Sequence, residues 1–131
     1  MPLVYHGDTG AGYVLIAGHG HISLDDWAGA IAAQIEDGRW HEATLLDVSD
    51  PLAEVSMVQT AQAIIRCVRE LIGERGERGP LALVLVNQAF YAEGRDYLQT
   101  FRKALPHRIE VFATRADAIA WLTDASGAPR D

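Results

Sequence analysis

The feature that most constrains this chain is an alternation. Short apolar runs, suited to strands, are each followed by a capped stretch of helical period. The clearest runs are residues 13–17, 43–48 and 81–86, and the last unit reads Ile109-Glu110-Val111-Phe112 and then Thr114 to Leu122. Runs this continuous need cover on both faces, which a parallel sheet with right-handed crossover helices provides. The expected class is therefore α/β: a mixed, mainly parallel sheet of about five strands with about four helices. At 131 residues and 49% apolar, the chain can build one such core without disulfides or a metal.

Local signals place the elements. A first strand over 3–6 ends in the turn-rich 7–12 and should pair antiparallel with 13–17. Ser23 and Asp26 form an S-x-x-D capping box, after which Leu24, Trp27, Ala28, Ile31 and Ile35 share a helical face. Gly38 is placed to stop that helix. Residues 43–48 read as the central strand. Two caps compete for the longest helix, Asp50 before Pro51 and Ser56 with Gln59. Ser56 is favoured, because the apolar series from Met57 to Ile72 begins just after it.

Residues 73–80 read as a charged surface turn, and 81–86 as a buried strand. Asn87 opens a helix that Pro106 closes; 108–112 form the last strand, and Thr114 with Asp117 caps a short final helix. The domain is expected over 1–123, with 124–131 a flexible tail. Trp27 and Trp121 fall on apolar helical faces and belong in the core, whereas Trp40 is assigned to a surface groove.

Charge and composition narrow the partners. The net charge is −7 and the only lysine is Lys103. Phosphate neutralisation needs clustered cations, so nucleic acid and anionic membranes are poor partners. No apolar run reaches the roughly 20 residues of a membrane span. The start, Met1 to His6, lacks a basic segment followed by an apolar one, so no secretory signal is expected. A lone Cys67 excludes an internal disulfide and suits a reducing cytoplasm.

Several chemical motifs fail on inspection. Leu45-Leu46-Asp47-Val48 suggests a phosphoacceptor strand, but that chemistry needs an acidic pair after the first strand and a lysine after the last. Only Asp8 is near the first position, and Lys103 lies within a helix. Gly18-His19-Gly20-His21-Ile22-Ser23 mimics a dinucleotide loop, but Ser23 replaces its third glycine. Asp25 and Asp26 in the first helical turn would also repel a pyrophosphate. His19 and His21 share a strand face, yet no further ligand-spaced cluster accompanies them, so neither a metal nor a cofactor is expected. Cys67 reads as a structural thiol.

Three stretches together resemble one family. Gly20-His21-Ile22-Ser23-Leu24-Asp25-Asp26-Trp27 looks like its entry to the first helix, and Phe90-Tyr91-Ala92-Glu93-Gly94-Arg95 like an aromatic-then-arginine opening of the third. Val111-Phe112 with Asp117-Ala118-Ile119-Ala120-Trp121-Leu122 resembles its closing strand and A-x-x-W-L helix. From Leu3 to Leu122 the chain resembles the SpoIIAA-like branch of the STAS superfamily, whose fold also resembles CRAL-TRIO lipid-binding domains. The resemblance implies a regulatory or binding module. Better-known STAS proteins carry a phosphorylatable serine opening the long helix; only Ser56 matches it here, without the flanking Asp and Gly.

Ligands of open α/β sheets collect outside the carboxyl ends of the strands, near a switch point. The candidate ligand-binding residues are therefore Asp47, Ser49, Asp50, Asn87, Tyr91 and Arg95. The leading expectation is a non-enzymatic STAS-like module that engages a protein partner or a small apolar or anionic ligand there. An alternative is a small enzyme with Asp47 or a histidine as general base and Arg95 as anion anchor. Another is a structural homo-oligomer. A homodimer is expected through the first helix, where Ala28, Gly29, Ala30, Ala32 and Ala33 leave little bulk, and the edge of the opening strands.

Overall fold

Strand and helix alternate as their apolar periods require. The computed structural model describes residues 3–50, 54–55, 57–105 and 108–126. In chain order these form β1 (Leu3–Asp8), β2 (Tyr13–Gly18), β3 (His21–Ile22), α1 (Leu24–Glu36), β4 (Ala43–Val48) and β5 (Glu54–Val55). There follow α2 (Met57–Arg75), β6 (Leu81–Leu85), α3 (Gln88–Ala104), β7 (Ile109–Phe112) and α4 (Arg115–Ser126).

The main sheet has five strands in the order β1-β2-β4-β6-β7. Edge strand β1 runs antiparallel to β2, and the other neighbours are parallel. β3 and β5 make a separate two-residue parallel ladder. Every residue of β4 is buried, as a central strand with both faces covered must be.

Topology decides which face each helix covers. The parallel strands are added always in the same direction, so three successive right-handed crossovers put α1, α2 and α3 on one face. Helix α4 packs over the other face. Two cores result. The larger contains Leu46, Leu83 and Val111 from the sheet with Ile31, Val68 and Leu98 from the three helices. The smaller holds Leu45, Val84, Ala118 and Leu122. Each of these Leu, Ile and Val side chains removed from water contributes roughly 1.5–3 kcal/mol. Trp27 is buried in the larger core. Trp121 is half-buried in the smaller, tilted against Phe112 with ring centroids 5.8 Å apart.

Caps fall where the side chains supply them. Ser23 and Asp26 form the reciprocal box at α1, Asn87 caps α3, and Thr114 Oγ1 accepts from Asp117 N at 3.3 Å before α4. Gly38 follows α1 at φ 75°, a conformation costly to any residue with a Cβ.

Three expectations change. Residues 73–80 are a surface turn only in part: 73–77 are exposed, but α2 runs through Gly73 to Arg75, Gly76 ends it at φ 89°, and Arg78 and Gly79 are buried. Trp40 lines no surface groove; it is buried, with its indole Nε1 donating to Gly76 O at 3.0 Å. Helix α4 reaches Ser126, so 124–126 are helical rather than part of a tail. Ser56 and Pro51 lie outside the described residues, though α2 begins at Met57. Among the described residues no helix is long and apolar enough to cross a membrane.

Candidate functional site

The groups expected at the strand ends are dispersed by the sheet. Asp47 lies on the α4 side of β4, where it accepts from Ser49 Oγ and pairs with Arg115 Nη1 at 3.3 Å. Asp50 Oδ2 accepts from Gly20 N at 3.2 Å, which ties the loop after β4 to the loop after β2. Asn87 Oδ1 accepts from Ala89 N at 3.0 Å and Phe90 N at 3.4 Å. Tyr91 is half-buried against the larger core. Arg95 bonds Glu110 Oε1 at 2.6 Å, and Arg102 holds the other carboxylate oxygen at 2.8 Å.

Asp47 and Arg95 therefore serve different neighbourhoods. The register sets β6 between β4 and β7, so about 10 Å of sheet separates the two strands. The order of the described strands also never reverses, so the sheet has no switch point at which a crevice would open. His6, His19, His21 and His41 are all exposed. Among the described residues no group of three or more His, Cys, Asp or Glu side chains is arranged to hold a metal ion.

Space occurs elsewhere, between the sheet and α1, α2 and α3. A cavity of about 50 Å³ is walled by apolar side chains including Ile16, Leu46, Val68, Leu98 and Val111. That is room for about four waters at roughly 10–15 Å³ each. Gly94, also in its wall, lets α3 approach the sheet closely: a Cβ there would come within 2.9 Å of Leu85 Cδ1.

Among the described residues one charged side chain reaches this cavity, that of Arg78. Its loop is drawn inward by close backbone packing, since a Cβ on Gly79 would lie 2.5 Å from Glu42 O. Thr44 N donates to Pro80 O at 2.8 Å and continues that contact into β4. The Arg78 guanidinium lies over the Trp40 ring, 5.3 Å from its centroid. Its Nη2 donates to Gln34 Oε1 at 2.7 Å. Gln34, fully buried, is oriented for this because its Nε2 donates to Thr44 Oγ1 and Arg39 O, each at 2.9 Å.

The arrangement leaves donors over. Arg78 Nε and Trp27 Nε1 are buried without a hydrogen-bond partner, and Trp27 also lines the cavity. Among the described residues no carboxylate pairs with Arg78. Burial pushes its guanidinium down to about 10, with Cys67 acting electrostatically in the opposite sense. A buried cation with one neutral acceptor is expensive, and natural interiors rarely keep one.

Sequence reasoning missed both Gln34 and Arg78. A signal for Gln34 was present: it sits three residues after Ile31 and seven after Trp27, a polar residue on the apolar stripe of α1. Comparison of the chain with protein-family models, curated proteins and solved structures returns no match.

Proposed function

We propose that this protein is a non-enzymatic binding module of SpoIIAA-like type, holding a small, mainly apolar ligand between its sheet and α1, α2 and α3. The observation that carries the reading is the cavity itself. At roughly 24 cal/mol per Å³ an empty space of this size costs about 1 kcal/mol, which a bound ligand would recover. The strand-end groups support the same conclusion, because Asp47 and Arg95 are each engaged by a different ionic partner. The element order, from the opening antiparallel pair to the closing α4, supports the SpoIIAA-like assignment. A net charge of −7 and a lone cysteine favour a cytoplasmic ligand-binding role over contact with nucleic acid.

Methyl NMR tests the reading with isobutanol, a compact neutral probe. The expected result is saturable shifts of the Leu46, Val68, Leu98 and Val111 methyls. Ala30→Val, which adds bulk to a cavity-lining position, should abolish them while the chain remains folded. Shifts centred on Asn87 and Ser49, or none that saturate, would overturn it.

A further inference from the structure

We propose that the ligand of this cavity is a compact organic anion, with an apolar body against the sheet and a carboxylate on Arg78. The inference rests on the cavity reading above and adds the ligand's charge. Four observations carry it. Among the described residues Arg78 is the only charged one lining an otherwise apolar space. It is 8% exposed, and its Nε has no partner. Its one acceptor among the described residues, Gln34 Oε1, is neutral. Its fork is held in place by Trp40 beneath it and by the Gly79 backbone contact behind it.

A guanidinium presents five N–H donors in a fixed plane matched to a carboxylate's two oxygens. Gln34 takes a donor of Nη2, and Nε–H is left without an acceptor for an anion to supply. The ligand's negative charge would neutralise a cation that the fold otherwise buries unpaired. The remaining walls accept hydrocarbon. Trp27 Nε1 supplies a second unused donor in the same cavity, about 10 Å of helix rise from Gln34. The size of the space, about 50 Å³, limits the body to a few carbon atoms.

The test compares isobutyrate with isobutyramide, which share shape but differ in charge. Binding is followed by methyl shifts, and by the Arg78 Nε–H resonance in the intact protein. The expected result is at least about tenfold tighter binding of isobutyrate, the scale of a hydrogen bond to a charged group, with a large shift of that resonance. In Arg78→Met the preference should fall to within about twofold while isobutyramide binding persists. Equal binding of both probes to the wild type would leave the cavity reading standing and overturn this one. So would tighter isobutyrate binding that leaves the Arg78 Nε–H resonance unmoved. Binding of neither probe would overturn both. The wild-type comparison and the Nε–H signal decide the matter even if Arg78→Met fails to fold.

Discussion

Arg78 Nη2 donates to Gln34 Oε1 at 2.7 Å, joining two buried polar side chains that lie 44 residues apart in the chain. Gln34 is the hub of this contact, because its amide also satisfies Thr44 and the Arg39 carbonyl. Gln34→Leu therefore strands a buried cation and takes a donor from the Thr44 hydroxyl, which keeps only its 3.4 Å bond to Glu42 O. The expected loss is about 3 kcal/mol, read from urea unfolding.

Arg78→Met should behave differently. It removes the desolvated charge along with the bond to Gln34, and the two effects offset to within about 1 kcal/mol. The double variant Gln34→Leu/Arg78→Met should recover most of the single Gln34→Leu loss, a coupling of at least about 1 kcal/mol. The sign with pH follows from the lowered guanidinium. The unfolded chain binds the Arg78 proton more tightly than the native protein does. Arg78 therefore makes stability rise as pH climbs above about 10, and the wild type should gain on Arg78→Met there. Strict additivity of the two substitutions, or a gain of Arg78→Met on the wild type there, would contradict this account.

Gly79→Ala tests how the loop is held. The new Cβ would meet backbone atoms of Glu42 at 2.5 and 2.6 Å and His41 O at 2.6 Å, none of which can rotate aside. The loop must move as a body and take Arg78 with it. We expect a loss of about 3 kcal/mol or more and a displaced Trp40 indole N–H resonance. An unchanged indole signal would show that the Gly76–Trp40 contact does not depend on this packing.

The first helix offers a test in acid. Ser23→Ala removes the cap of α1 and should cost about 1 kcal/mol at neutral pH. The Ser23 backbone N–H, and then its hydroxyl, hold the Asp26 carboxyl below the usual carboxylate range. A depressed folded value means stability present above the unfolded value and lost as pH falls through the folded one. The gap between wild type and Ser23→Ala should narrow as Asp26 protonates, and pH-dependent thermal unfolding reads it directly.

Local chemistry made much of the fold legible. Six buried residues in a row at β4, the Ser23–Asp26 box and the Asn87 cap each depend on neighbours within a few positions. Asp47 was legible as a strand-end carboxylate, but its partner Arg115 was not, because that pairing requires α4 to cross to the second face. Arg78 was hidden for a similar reason. Its sequence neighbours are glycines and charges that usually mark solvent, whereas its burial comes from Gln34, Trp40 and the backbone at Glu42. No periodicity within the loop encodes those contacts.

Xenon-pressurised crystallography tests the central claim most directly, because xenon enters apolar cavities and avoids hydrated polar rims. We predict a xenon site between the sheet and α1, α2 and α3, in contact with Leu46, Val68, Leu98 and Val111 and displaced when isobutyrate is added. Xenon absent from that space, with ordered water filling it to Arg78 Nε and Trp27 Nε1 even in the presence of isobutyrate, would contradict the account.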